Sequence, residues 1–132
     1  MPDIEPFSPR GMFHEGWTAE VNDYAIACGW ALKGKQFIVG DVAGGLFAFE
    51  GDTGKIIWEK ENTHSGGLLA MAIHPEGEIF ATSGQDGNVQ ICNCHEGKVI
   101  KTLDLGKGWV EHLKWSNDGL FLAIASSKKV YV

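Results

Sequence analysis

Basic residues are scarce in this chain: 11 Lys and Arg stand against 17 Asp and Glu, giving a formal net charge of −6. A nucleic-acid-binding face needs clustered cations, and the densest pairing here is Lys128-Lys129. DNA, RNA and an anionic membrane surface are therefore not expected as partners. Long apolar runs are missing too, and no stretch approaches the length of a membrane span. Cysteine is limited to Cys28, Cys92 and Cys94, an odd number that is no disulfide framework. A reducing, cytoplasmic compartment is the expectation. The acidic start, Met1 to Arg10, holds three prolines and lacks the basic start and apolar core of a signal peptide. Residues 1–12 are expected to be a flexible segment.

Glycine, by contrast, is plentiful, with 18 residues spaced between short apolar runs. That is the pattern of many turns joining many short strands. With 44% hydrophobic and 21% charged residues, the composition is that of an ordinary globular domain.

The chain repeats itself. Gly34-Lys35-Gln36-Phe37-Ile38-Val39-Gly40 parallels Gly77-Glu78-Ile79-Phe80-Ala81-Thr82-Ser83, with Phe37 and Phe80 standing 43 residues apart. The same offset carries Gly44 onto Gly87, Leu46 onto Val89, Gly54 onto Gly97 and Lys55 onto Lys98. A third copy follows, in which Trp115-Ser116-Asn117-Asp118-Gly119 matches Ile73-His74-Pro75-Glu76-Gly77. Its later turn is trimmed to Ser126-Ser127-Lys128-Lys129. A period of this length marks a repeat architecture.

Within the middle copy, Leu68 to Ile73 reads as a first strand and Ile79 to Ser83 as a second. Asp86-Gly87 is a hairpin signal. Val89 to Cys92 and Val99 to Leu103 complete the set. These runs are too short for helices and rich in β-branched and aromatic residues. Counting from the N-terminus, an outer strand is expected first, around Trp17 to Val21. Strands near Tyr24 to Trp30, Gln36 to Gly40 and Leu46 to Glu50 follow. The order outer, first, second, third then recurs three times. The repeats divide at about 13–50, 51–92 and 93–132.

Four strands in about 42 residues resembles the WD-repeat blade, from about Phe13 to Val132. The resemblance implies an all-β fold of four-stranded antiparallel propeller blades. His64 stands where that family places the histidine of its Gly-His pair, and Asp86 where it has its turn aspartate. It implies a structural hydrogen-bonded network of His64, Asp86 and a hydroxyl from Thr82 or Ser83. The repeats are degenerate. Phe49-Glu50 and Cys92-Asn93 replace the eponymous Trp-Asp, and the chain stops at Val132, one residue before the third Trp would come. Ala43 stands where the turn aspartate of the first copy would be, so its network is expected to be lost. The stretch from Gly45 to Trp58 also resembles the quinoprotein-type propeller repeat, through its Thr53-Gly54 and Trp58.

Few other motifs carry chemistry. Cys92-Asn93-Cys94-His95 is metal-like, but structural zinc needs four ligands and no second pair lies nearby. No metal site is expected, and these residues read as blade and turn. Four Gly-Lys pairs lack the remainder of a phosphate-binding loop. Of the histidines (His14, His64, His74, His95 and His112), none has a nucleophile placed beside it by the repeat, so no catalysis is expected. Trp30 and Trp115 fall on first strands and are expected to be buried.

The resemblance implies a non-catalytic scaffold for protein–protein interaction, without a cofactor, displaying its top-face loops. Those loops are Val21 to Asp23, Asp41 to Gly44, Glu61 to Gly67, Gly84 to Asn88 and Leu105 to Trp109. Lys107, Trp109 and Glu111 are the candidate partner-binding residues, because an exposed Trp is a frequent hot spot. The alternatives are a cofactor-binding or sensory quinoprotein-like propeller, or a fragment of a longer propeller with no independent function. Three blades do not close a ring, since propellers carry about four to eight. Two copies joined head to tail, giving six blades, are the expected assembly.

Overall fold

In a computed structural model the protein is described over residues 16–132. The segment expected to be flexible (1–12), together with Phe13 and His14, lies outside the described residues. The first sheet is β1 (Ala25–Ala31), β2 (Gln36–Asp41), β3 (Leu46–Glu50) and β4 (Ile56–Lys60). The second is β5 (Leu68–Ile73), β6 (Ile79–Gly84), β7 (Asn88–Asn93) and β8 (Val99–Asp104). The third holds β9 (His112–Trp115), β10 (Leu122–Ser126) and β11 (Lys129–Tyr131). Each sheet is a simple antiparallel meander in chain order. These are three propeller blades, the third with β11 as its edge. Among the described residues the only helical turn is Leu32–Gly34, where Leu32, Lys33 and Gly34 all take positive φ to reverse the chain between β1 and β2.

Register decides which side chains meet between blades, because residues directly opposite in adjacent strands share a face. In blade 1, Gly29 pairs with Ile38 and Ile38 with Ala48, and this face packs on blade 2. Blade 2 answers with Ile73, Phe80 and Cys92, which are successive partners in its own register. Its opposite face, carrying Ala81 and Val89, packs on Leu113, Trp115, Leu122 and Ile124 of blade 3. Inner strands carry small residues where the neighbour's bulky side chain arrives. A Cβ on Gly29 would lie 2.7 Å from Ile73 Cγ1, so only glycine fits there.

Hydrogen bonds lock these faces at fixed points. Trp58 Nε1 donates to the Cys94 carbonyl at 2.9 Å, its ring stacked on Phe80. Lys60 Nζ donates to Gly97 O at 2.7 Å. Between blades 2 and 3, Trp115 Nε1 donates to Ala72 O at 3.0 Å and His74 Nε2 meets Gly119 O at 2.9 Å.

Two sequence expectations need correction. No strand forms at Trp17 to Val21, and among the described residues no strand pairs with it; Trp17 and Val21 instead pack on the face of blade 1 that carries Val39, Phe47 and Phe49. Trp30 is not buried but 55% exposed, and Trp115 is half-buried. Both stand at the same place on their first strands. Trp115 meets blade 2 there, whereas Trp30 faces the side of blade 1 on which no further blade sits.

Candidate interaction site

His64 is buried on the loop between β4 and β5, with Nδ1 3.0 Å from Asp86 Oδ1 and Nε2 2.9 Å from Thr82 Oγ1. A carboxylate only accepts hydrogen bonds, so Nδ1 is the donor. Asp86 also accepts from the Ser65 and Asn88 backbone N–H groups, each at 3.1 Å. Partial burial pushes the Asp86 carboxyl up. The His64 hydrogen bond, those from Asn88 and Ser65, and the attraction of His64 outweigh that and hold it below its ordinary value. Thr82, on β6, is the hydroxyl that joins this cluster. Ser83 points to the other face and donates from Oγ to Val110 O at 2.8 Å, tying blade 2 to the entry of blade 3.

Blade 1 solves the same position differently. Val21, Val39 and Ala43 stand in register with His64, Thr82 and Asp86, and Val21 packs against the cluster containing Val39. With no imidazole to hold, no partner carboxylate is needed. The turn is held by Asp41, which the sequence reading overlooked. Only 1% exposed, Asp41 accepts from Ala43 N at 3.1 Å and Gly45 N at 2.8 Å through Oδ1, and from Asp23 N at 3.1 Å through Oδ2. The detectable signal was an Asp two residues before a turn that had lost its own aspartate, since Asp readily bonds backbone a few positions on.

The loop from Leu105 to Trp109 joins β8 to β9. Gly106 and Gly108 both take positive φ, which bends the loop sharply. Its frame is tied down by Leu105 N to Gly87 O at 3.0 Å, Gly106 N to Asp104 Oδ1 at 2.8 Å and Val110 N to Gly84 O at 3.0 Å. Ser126 Oγ donates to Trp109 O at 2.8 Å. The Trp109 backbone is thus fixed while its indole is 52% exposed. Lys107 and Glu111 flank it and are exposed, and Glu111 Oε1 accepts from Ser127 N at 3.3 Å.

The metal-like residues do not gather. Cys92 and Cys94 are buried, and burial pushes their thiols up to about 11 and about 12. His95 is exposed and pairs with Glu78 at 3.0 Å. Among the described residues, no group of three or more His, Cys, Asp or Glu is placed to hold a metal.

Comparison with known sequences agrees with this architecture. A family model described as the WD40 domain of anaphase-promoting complex subunit 4 matches residues 51–109. WD repeat-containing protein 1 of Bos taurus is 39% identical over 66 residues, covering 46% of this chain and 10% of that protein. Eukaryotic translation initiation factor 3 subunit I of Candida glabrata is 28% identical over 91 residues, covering 69% of this chain and 26% of that protein. The periodic tryptophan protein 2 homolog of Caenorhabditis elegans is 26% identical over 106 residues, 74% of this chain and 11% of that protein. The chain therefore spans about a tenth to a quarter of the length of these relatives. Together with the three antiparallel sheets and the repeat register, these matches support a WD-repeat family for the chain.

Proposed function

We propose that this chain is a non-catalytic scaffold for protein–protein interaction, and that the loop carrying Lys107, Trp109 and Glu111 is its contact element. The observation that carries the reading is the exposed indole of Trp109 on a backbone held at both ends. A rigid, amphipathic side chain displayed this way loses little conformational freedom on binding, which is what makes Trp an effective anchor. A partner meeting it would be a protein rather than a nucleic acid or a membrane, given the net charge of −6. The unpaired thiols of Cys28, Cys92 and Cys94 support a cytoplasmic setting. The chain acts as a self-assembled unit, two copies supplying six blades.

The test compares proteins retained from the source cell by the wild-type chain and by Trp109→Ala. A partner retained by the wild type and lost by a folded Trp109→Ala variant supports the reading. Equal retention by both would move the contact elsewhere.

A further inference from the structure

The outer strands of blades 1 and 2 are interrupted at the same place. In β4, Trp58 pairs with Ala48 and Ile56 with Phe49, so Ile57 has no partner on β3. In β8, Lys101 pairs with Ile91 and Val99 with Cys92, so Ile100 has no partner on β7. Ile57 and Ile100 stand 43 residues apart, in repeat register. Each is the extra residue of a β-bulge, a device that re-aims a side chain at a sheet edge.

Both side chains reach solvent, Ile57 at 45% and Ile100 at 59% exposure. Ile57 is exposed with blade 2 packed on its own blade, and Ile100 is exposed with blade 1 packed on its own. The two positions are equivalent, so a neighbouring blade on either side leaves this position open. Its exposure belongs to the rim itself.

The two bulges lie on one stretch of that rim. Trp58, next to Ile57, has Gly97 under its ring and donates to Cys94 O, and Lys60 Nζ donates to Gly97 O. Lys98 and Val99 lead directly from that glycine to Ile100.

The charge of this stretch is opposite to that of the chain. Residues 55–60 and 98–104 hold Lys55, Lys60, Lys98 and Lys101 against Glu59 and Asp104, whereas the whole chain carries −6. Lys55 and Lys98 share one register position, two residues before each bulge, and both are exposed. Among the described residues neither is engaged in an ion pair.

These features select the kind of partner. A bulge breaks the regular row of edge N–H and C=O groups, which disfavours addition of a strand. Two isoleucines offer too little apolar surface to hold a bilayer. A protein segment carrying both apolar and acidic side chains matches what is displayed.

We propose that the rim spanning β4 and the start of β8 is a docking surface for an acidic segment of another protein, seated on Ile57 and Ile100 and selected by Lys55 and Lys98. The isoleucines supply the affinity, because exposed ion pairs contribute little by themselves, and the lysines set the sign of the partner's charge. This surface is distinct from the Trp109 loop and goes beyond the contact proposed there.

Fluorescence anisotropy with two labelled peptides tests it. One is a short Ser- and Gly-based peptide carrying leucines and glutamates; its twin has lysines for the glutamates. The glutamate peptide should bind at least about tenfold tighter than its twin. Replacing Ile57→Ser together with Ile100→Ser, both at exposed positions, should keep the circular dichroism spectrum and weaken that binding by at least about tenfold. Lys55→Glu with Lys98→Glu should reverse the preference between the twins. Equal binding of both peptides, or of neither, would overturn the proposal, as would binding indifferent to both double substitutions. Retention of the wild-type chain on phosphatidylserine vesicles, lost with the paired serine substitutions, would overturn it in favour of a bilayer. None of these results bears on the Trp109 contact, which is read by partner retention.

Discussion

Replacing Asp86 by Ala tests whether the cluster at the mouth of blade 2 holds the fold. The carboxylate receives the buried His64 Nδ1 at 3.0 Å and two backbone N–H groups at 3.1 Å. The His64 side chain is fully inaccessible, so its freed donor has no water to turn to. Ser65 N lies at an exposed position and is resolvated at small cost. The loss is therefore dominated by one stranded buried donor, about 1–3 kcal/mol. For a chain of this size that corresponds to a drop in melting temperature of about 4–12 °C. Thermal unfolding followed by circular dichroism, alongside urea titration, reads it directly. A double-mutant cycle with His64→Ala isolates the pair, and a coupling energy of at least about 0.5 kcal/mol is expected for residues in contact. An Asp86→Ala protein with unchanged stability would refute the reasoning, as would strict additivity in the cycle.

Other outcomes follow from the same geometry. The depressed Asp86 carboxyl contributes stability that is complete above the unfolded-state value near 4 and is lost as pH falls through its lower folded-state value, so wild-type melting should decline on acidification there more steeply than that of Asp86→Asn. Asp41→Ala removes the acceptor for three backbone N–H groups and should cost about 1–3 kcal/mol by urea titration, although the residue lies outside the His64 cluster. Under native conditions and at low protein concentration, mass spectrometry after alkylation should find exposed Cys28 modified and buried Cys92 and Cys94 intact; all three react after denaturation. A chelator should leave the melting temperature unchanged.

Strand positions were legible because the repeat constrains them three times over, and Leu46–Glu50 and Leu68–Ile73 coincide with the runs read from sequence. The 3.0 Å His64–Asp86 contact follows from the same register, since one loop and one hairpin turn recur at fixed distances from Phe80. Burial was less legible. Trp30 and Trp115 occupy one pattern position, but only Trp115 has a blade in front of it, and periodicity within a strand says nothing about whether a neighbouring sheet is present. The outer strand read at Trp17 to Val21 failed for a related reason. A strand is defined by the edge it pairs with, and the contacts that seat this segment include those of its indole and of Val21. Asp41 was hidden because the reading searched one aligned column for a carboxylate, whereas the turn accepts it from two residues earlier.

The joints between blades explain how such repeats diverge in sequence while stacking in the same way. At each joint the acceptor is a backbone carbonyl: Cys94 O and Gly97 O for blade 2, Ala72 O for the contact with Trp115, Val110 O for Ser83. Every residue has a carbonyl, so substitution on the accepting blade leaves the bond intact. The joint demands only a donor on the other side and room beneath it. Gly97 and Gly54 supply that room, each at positive φ and each lying where a Cβ would strike an indole. Selection on the accepting strand therefore reduces to small size at a few positions, and the donor indoles bear the specificity.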